Sequence, residues 1–203
     1  MTHHASVPES AAWMVCRETA RTHGRSFFLA SRMLGPERRR AIHSAYAFCR
    51  IADDIVDRAQ SDPRTTERVL CDWEQQIARP QHPVARAFAW TRAEFSIPAD
   101  PVHELIDGMR ADLRVTCYET WPDLRGYCYQ AAGTVGLIVA PILGCSDPKA
   151  LPQAAVGALF RCQRAVVLGD PAQLEPIVQL PATLSRAICE QMGKLSLTAS
   201  VVS

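Results

Sequence analysis

The first three quarters of this 203-residue chain are predicted to be all-α. Apolar residues recur at helical spacing, prolines separate the helical stretches, and no stretch before Asp147 alternates as a half-buried strand does. Hydrophobic residues make up 48% and charged residues 21%, a composition typical of a globular domain with a core. Because the formal net charge of +1 creates no overall field for a polyanion, we expect no nucleic-acid partner.

Prolines indicate where the helices begin. Gly35-Pro36-Glu37 predicts the clearest start, because proline suits the first helical position and an acidic residue suits the first turn. Apolar residues follow at helical spacing, and this helix fades near Gln60. The other stretches with helical character are Trp13–Ala30, Thr65–Ala78, Val84–Phe95, Pro101–Leu113 and Trp121–Gly144.

The sequence changes character after about Leu151. Residues 164–170 read Arg-Ala-Val-Val-Leu-Gly-Asp, a short β-branched run that ends in a turn and predicts a buried strand. No partner strand is predicted upstream of it. We therefore expect a helical domain at residues 1–148, followed at residues 149–203 by a short α/β fragment that is not an independent domain.

No segment is predicted to direct the chain out of the cytoplasm. The opening residues lack the basic and apolar regions of a signal peptide, and the apolar run Ala131–Cys145 is too short to span a bilayer. The eight cysteines include no C-x-x-C pair and the six histidines show no metal-ligand spacing, which favours free thiols in a reducing compartment. We expect a cytoplasmic protein.

One face of the helix that begins at Pro36 carries Tyr46, Arg50, Asp53 and Asp57, which are four, three and four residues apart. Two carboxylates one turn apart among apolar residues are costly to hold without a cation between them. Magnesium suits such a pair, because it takes one or two carboxylates and completes its shell with water and phosphate oxygens. Arg50 could contact the phosphate directly.

The alternative for this stripe is a solvated acidic face held by ion pairs. In that reading Arg50 pairs with Asp54, and Asp54 pairs with Arg58, each at four-residue spacing. The apolar residues before and within the stripe favour a magnesium–diphosphate site instead, because solvated acidic faces seldom carry so many apolar residues.

Residues 23–57, HGRSFFLASRMLGPERRRAIHSAYAFCRIADDIVD, resemble the N-terminal signature of the squalene/phytoene synthase family. Residues 108–144, GMRADLRVTCYETWPDLRGYCYQAAGTVGLIVAPILG, resemble the middle of the same family. The two blocks are in order and correctly spaced, so the resemblance covers about residues 10–147. The sequence of these blocks is most similar to bacterial phytoene synthases, and the related hopanoid-pathway squalene synthases stay an alternative.

The resemblance implies an isoprenoid-synthase fold, in which helices surround a deep apolar cavity and two aspartate-rich helices hold magnesium at its mouth. It implies head-to-head condensation of two prenyl diphosphates, here geranylgeranyl diphosphate, through a cyclopropyl intermediate in carotenoid or other isoprenoid biosynthesis. Asp53 and Asp57 are the implied magnesium ligands. The implied catalytic residues are Tyr46, Arg50, Asp53, Asp57 and Tyr127.

The last predicted helix contains Gly133 and Gly136, each at a cost of about 1 kcal/mol in helix propensity. Small residues on one face allow either close helix packing or room for a long, flat substrate. The resemblance implies that this helix lines a prenyl-chain tunnel, with Tyr127 near the reacting end. The implied substrate-binding residues are Ser26, Phe27, Ala132, Gly133, Val135 and Gly136.

The family also has a second aspartate-rich motif downstream of this helix. Gln163 and Asp170 fall at the right spacing for it. The other positions depart from the motif, with Val166, Gly169 and Leu174 in place of asparagine, arginine and aspartate. Half of the metal site is therefore expected to be missing.

Residues 150–188 instead resemble an internal stretch of superfamily-one DNA helicases, in which a strand ends in Gly-Asp-x-x-Gln-Leu, here residues 169–174. No G-x-x-x-x-G-K-[ST] loop accompanies this motif, so it cannot hydrolyse ATP. The chain then reads as a truncated synthase joined to a helicase fragment, for which we expect marginal folding.

Three functions stay open: a prenyltransferase, a catalytically inactive truncated or chimeric fragment, and, least favoured, part of a helicase. We expect a monomer with a prenyl diphosphate substrate. Because the product would be lipophilic, we also expect peripheral contact with the inner face of the membrane. The basic cluster Arg38–Arg40, with Arg32 nearby, is either a solvated helix face or a contact for a membrane surface or a phosphate.

Overall fold

The computed structural model describes residues 8–57, 62–115 and 117–145, so the α/β fragment expected at residues 149–203 lies outside the described residues. The described residues are mostly helical and include no strand, which confirms the all-α prediction for this part of the chain. The helices are α1 (Ser10–His23), α2 (Arg25–Ser31), α3 (Pro36–Asp57), α4 (Pro63–Gln75), α5 (Pro83–Glu94), α6 (Asp100–Asp112), α7 (Trp121–Cys128) and α8 (Thr134–Ile142), with a π-turn (Tyr129–Gly133) between α7 and α8.

Two predicted helical stretches are interrupted. The stretch Trp13–Ala30 is divided at Gly24, where α1 ends and α2 begins. The ring of Tyr46 lies against this point, and a Cβ atom at Gly24 would be 2.7 Å from Cζ of that ring. The break therefore occurs where only glycine lets the backbone approach the tyrosine.

The stretch Trp121–Gly144 is interrupted by the π-turn. A π-turn carries one residue more than an α-turn. The residues after it that face α6 and the cavity are therefore shifted by one position from those that an unbroken α-helix would place there. Helix α6 packs closely on it at Gly108, where a Cβ atom would lie 3.0 Å from the Ala131 nitrogen and from Cβ of Gln130. The buried Thr134 hydroxyl donates a hydrogen bond of 2.6 Å to the Gln130 carbonyl, which gives this oxygen a side-chain donor.

Helix α3 forms the centre of the bundle and packs against α1, α4, α5, α6 and α8. Its Phe48 is fully buried between Trp73 of α4 and Phe88 of α5, with ring centroids 4.8 and 4.7 Å away. The Trp73 indole nitrogen donates a hydrogen bond of 3.3 Å to the Phe48 carbonyl. This aromatic cluster joins α3, α4 and α5.

Two buried polar pairs fix the register of α3 against its neighbours. The hydroxyls of Ser44 and Thr91 lie 2.7 Å apart, and Nε2 of His43 lies 2.8 Å from the Ser31 hydroxyl of α2. Phe28 stacks on the His43 ring at 5.2 Å. Burial, aided by nearby arginines, lowers the pKa of His43 to about 4, so this imidazole is neutral at pH 7.

Helices α4 and α6 are joined by a cluster of ion pairs around Arg110. This guanidinium contacts Glu67 at 2.9 Å, Asp107 at 2.6 Å and also Glu74. Burial opposes ionisation of Glu74, but hydrogen bonds from Arg110 and His103 lower its pKa overall. The cluster holds α6 in place beside the C-terminal half of α3, where the predicted site lies.

Candidate active site

The aspartate stripe of α3 borders a cavity of about 250 Å³. Tyr46, Arg50 and Asp53 all line it. The rest of the wall is largely apolar and comes from α2, α3, α6, the π-turn and α8: Phe27, Ala45, Cys49, Leu105, Met109, Ala131, Val135, Ile138 and Val139. The polar side chains of the stripe therefore lie beside a largely apolar cavity wall, such as the family resemblance implies.

Tyr46 is held by aromatic stacking and by close packing against Gly24, where α1 ends and α2 begins. Phe27 of α2 stacks on its ring, with centroids 4.9 Å apart and an angle of 27°. Gly24 gives the ring room at its hydroxyl end. Burial is the main cause that raises the pKa of Tyr46, so its hydroxyl stays protonated and can donate a hydrogen bond at neutral pH.

Arg50 is paired with two aspartates on its own helix. Its guanidinium lies 2.7 Å from a carboxylate oxygen of Asp53 and 2.5 Å from one of Asp54. Its Nε is buried, and no hydrogen-bond partner for it lies among the described residues. The ion pair between Arg50 and Asp54 is the one that the solvated-face alternative predicts, whereas Arg58 lies outside the described residues.

Asp53 lies in an environment that disfavours its negative charge. Burial raises the pKa of this carboxyl, Asp57 one turn away raises it further, and Arg50 only partly opposes them. Asp57 is exposed at the last position of α3. A cation between the two carboxylates would offset their repulsion, so the pair fits a magnesium ion that also takes water and phosphate oxygens.

A third carboxylate, which the sequence alone did not indicate, lies opposite the stripe. Asp112 ends α6 near Asp57, and the hydroxyl of Tyr127 donates a hydrogen bond to it. Burial raises the pKa of Tyr127, and the Asp112 carboxylate raises it further. Asp112 follows the cavity-lining Met109 by three residues, and this spacing on α6 is the signal that could have revealed it.

Tyr127 is also supported from the loop between α6 and α7. Tyr118 stacks on it with centroids 5.0 Å apart and an angle of 26°. The structure thus places Tyr127 on the Asp112 carboxylate of α6, which itself lies near Asp57 of α3, and Tyr127 does not line the cavity. Among residues 8–57, 62–115 and 117–145, no three acidic, histidine or cysteine side chains form a group that could hold a metal by themselves.

The predicted substrate-binding residues are divided between the cavity and its surroundings. Phe27 and Val135 line the cavity. Ser26 is exposed on α2, Ala132 and Gly133 are buried outside the lining, and Gly136 is half-buried. On the glycine-bearing helix the lining residues are Ala131, Val135, Ile138 and Val139, which the sequence pattern alone could not select because the π-turn changes which face meets the cavity.

This arrangement can bind a molecule with an anionic head and an apolar tail. The carboxylates can hold a divalent cation, and the Arg50 guanidinium can pair with a phosphate once it leaves an aspartate. The apolar wall can exclude water from the tail.

The family model described as squalene/phytoene synthase matches residues 20–193. The 15-cis-phytoene synthase of Synechocystis is 33% identical over 181 residues, which are 86% of this chain and 53% of the relative. Phytoene synthase 3 of Zea mays is 33% identical over 174 residues, covering 83% of this chain and 39% of the relative. The chain thus spans about half, or less, of the length of these relatives.

Two solved structures share the fold. Squalene synthase HpnC from Alicyclobacillus acidocaldarius has a TM-score of 0.70 at 30% identity, over 77% of this chain and 60% of that one. A dehydrosqualene synthase in complex with ligand has a TM-score of 0.66 at 28% identity, over 77% and 56%. The family match continues to residue 193 and includes all of residues 150–188, the helicase-like segment. That segment lies outside the described residues, so the boundary at residue 148 stays a prediction.

Proposed function

The chain belongs to the squalene/phytoene synthase family, and from this membership we propose that it is a prenyltransferase-type protein whose site binds a prenyl diphosphate for head-to-head condensation. One observation carries the proposal: Arg50 and Asp53 stand at the edge of an apolar cavity of about 250 Å³. A prenyl diphosphate has a matching division into a charged head and an apolar tail. We propose geranylgeranyl diphosphate as the substrate and carotenoid or related isoprenoid biosynthesis as the pathway.

Asp53 and Asp57 are the proposed magnesium ligands. They are one turn apart, and burial together with the charge of Asp57 raises the pKa of Asp53, so a cation bound there would favour its charged form. When bound there, magnesium would neutralise charge on a departing diphosphate. Arg50 adds a planar guanidinium that can exchange its aspartate partners for phosphate oxygens.

The remaining site residues have proposed roles around the tail and the reacting end. Tyr46 and Tyr127 both keep their protons at neutral pH, because burial raises their pKa values, and each can donate a hydrogen bond. Phe27 and Val135 exclude water along the cavity wall. Ser26, Ala132, Gly133 and Gly136 keep the proposed substrate-binding role from the family resemblance, although they lie outside the cavity lining.

A second candidate is a catalytically inactive protein that binds one diphosphate without completing the reaction. The chain spans 39% to 53% of the two phytoene synthases compared above, and its match to the second aspartate-rich motif is poor. In this case the site would hold magnesium and diphosphate through α3 alone.

No helix of the described residues is long and apolar enough to cross a membrane. We propose a cytoplasmic monomer that touches the inner membrane face peripherally, where a lipophilic product would leave. No nucleic-acid partner is proposed.

The full 203-residue chain is incubated with magnesium and radiolabelled geranylgeranyl diphosphate, and bound label and extracted hydrocarbon are measured separately. Hydrocarbon product supports the synthase, whereas magnesium-dependent binding without product supports the inactive diphosphate-binding protein. Absence of both in a chain that is helical by circular dichroism contradicts the site.

Matched variants test whether magnesium-dependent binding depends on the aspartates of α3. Asp53→Asn and Asp57→Asn should each weaken magnesium-dependent binding by about tenfold or more, because a neutral amide is a poor magnesium ligand. Asp72→Asn, at an exposed position of α4 away from the cavity, should bind as the wild type does. Equal binding by the wild type and all three variants would contradict the assignment of Asp53 and Asp57 as magnesium ligands.

A further inference from the structure

Helix α2 has two faces with different surroundings. Its inner face is fixed to α3: Phe27 stacks on Tyr46, Phe28 stacks on His43, and Ser31 bonds the same histidine. Leu34, just beyond the helix, also packs against the core. These contacts determine which way α2 is turned.

The outer face of α2, defined as Arg25, Leu29, Arg32 and Met33, carries large side chains that are exposed. Leu29 is 63% exposed and Met33 is 91% exposed, the highest value among the large apolar side chains described. The four positions are spaced four, three and one residues apart, so they share one side of the helix and of the turn that continues it. Neither arginine forms an ion pair within the described part of the chain.

The segment that contains this face is strongly basic. Residues 25–40 contain five arginines and one glutamate, a net charge of +4, whereas the whole chain carries +1. Arg38 lies next to the end of α8, where it donates to the Leu143 carbonyl at 3.3 Å. Leu143 is itself 49% exposed. The end of α8 thus adds an exposed apolar side chain to the basic region.

We propose that the outer face of α2 docks on a bilayer with anionic headgroups. Two or three exposed apolar side chains form too small an area for a stable protein interface, which buries about 800 Å² per partner. They do suffice for shallow, reversible insertion when basic side chains add attraction to anionic lipids. The arginines would lie at the headgroups while Leu29 and Met33 enter the acyl boundary.

The biological purpose of this docking rests on the proposed function. Phe27, on the other face of α2, lines the cavity, so the docked face and the proposed substrate site belong to the same helix. A lipophilic substrate or product would then have a short path between cavity and bilayer. Vesicle binding itself requires neither diphosphate nor magnesium, so failure of the docking and failure of the proposed function are distinguishable.

The test is co-sedimentation of the full chain with vesicles of phosphatidylcholine containing about a third phosphatidylglycerol. The chain should bind these vesicles, bind pure phosphatidylcholine weakly, and dissociate as salt is raised. Arg25→Gln with Arg32→Gln should weaken partitioning about thirtyfold, from about 1 kcal/mol for each charge. Leu29→Ser with Met33→Ser should weaken it about tenfold through lost apolar insertion.

The control variants lie on α4, where Arg64, Arg68 and Val69 are also exposed. Arg64→Gln with Arg68→Gln, and separately Val69→Ser, should bind vesicles as the wild type does. All variants change exposed residues, and circular dichroism checks that each keeps its helices. Absence of binding to the anionic vesicles overturns the proposal, and so does equal binding by the α2 and α4 variants.

Discussion

The two halves of helix α3 lie in different surroundings. From Ala41 to Phe48 almost every residue is buried, against α1, α2 and α5, and the polar groups there are satisfied in pairs. From Cys49 to Asp57 most residues are half-buried, and the charged ones face one another and the cavity.

The difference separates stability from chemistry within one helix. The first half stabilises the bundle through close packing and satisfied hydrogen bonds. The second half holds like charges near one another, which costs stability that Arg50 offsets in part and that a bound cation would offset further. We therefore expect substitutions in the first half to change the free energy of unfolding, and substitutions in the second half to change ligand binding.

The largest effect is expected for Phe48→Ala, in the buried half. It should lower the free energy of unfolding by about 3–5 kcal/mol, because it empties the space between Trp73 and Phe88. Urea unfolding followed by circular dichroism measures this. Val69→Ala, at a position 44% exposed, is the control and should cost less than about 1 kcal/mol. A loss for Phe48→Ala as small as that of the control would refute the comparison.

The next largest effect is expected from His43, which should lower the stability of the fold at acidic pH. Its pKa is lowered from 6.5 to about 4, so below pH 6.5 the unfolded chain takes up a proton that the folded chain does not. Stability is thus fully present above pH 6.5 and falls by about 3 kcal/mol as the pH is lowered to 4. Asp53 and Asp112 act in the opposite direction, because their pKa values are raised.

His43→Phe isolates the contribution of this histidine. The variant keeps an aromatic ring beside Phe28, and the Ser31 hydroxyl keeps its 2.7 Å bond to the Phe28 carbonyl. Unfolding curves between pH 7 and 4 should show a smaller loss for the variant than for the wild type. Parallel pH profiles would show that His43 is not the group that titrates.

A moderate effect is expected for Gly24→Ala, at the helix break that lies against Tyr46 of α3. The new methyl group would meet the Tyr46 ring at 2.7–2.9 Å, so the ring must move. We expect a loss of about 1–3 kcal/mol in stability, together with weaker diphosphate binding. Gly35→Ala is the matched control, because nothing lies within 4 Å of a Cβ atom there. Equal melting temperatures for the two variants would contradict the close approach.

The smallest change in stability is expected for Asp53→Asn, in the polar half. The substitution removes repulsion from Asp57 but also the ion pair with Arg50, so the two effects largely cancel and the change should stay within about 1 kcal/mol. The same variant should lose the stabilisation that magnesium and diphosphate give the wild type in thermal unfolding. If magnesium and diphosphate stabilised the variant as much as the wild type, Asp53 would not be a magnesium ligand.

The sequence by itself determined the helices and the aspartate stripe. Proline suits the first turn of a helix and ends the one before it, so the starts of α3, α4 and α5 could be placed within about two residues. The positions of Tyr46, Arg50 and Asp53 on one face follow from the helical repeat alone, and the three side chains line the same cavity.

Only the tertiary structure decided what meets that stripe. Both Asp112 and Tyr127 are distant from it in sequence. Asp112 comes near Asp57 because α6 packs against α3, and Tyr127 of α7 hydrogen-bonds Asp112. The break at Gly24 and the π-turn were not predicted, since each depends on a neighbour: the Tyr46 ring in one case and the close approach of Gly108 in the other. Helical periodicity describes one element at a time, whereas the cavity wall is set by how several elements pack together.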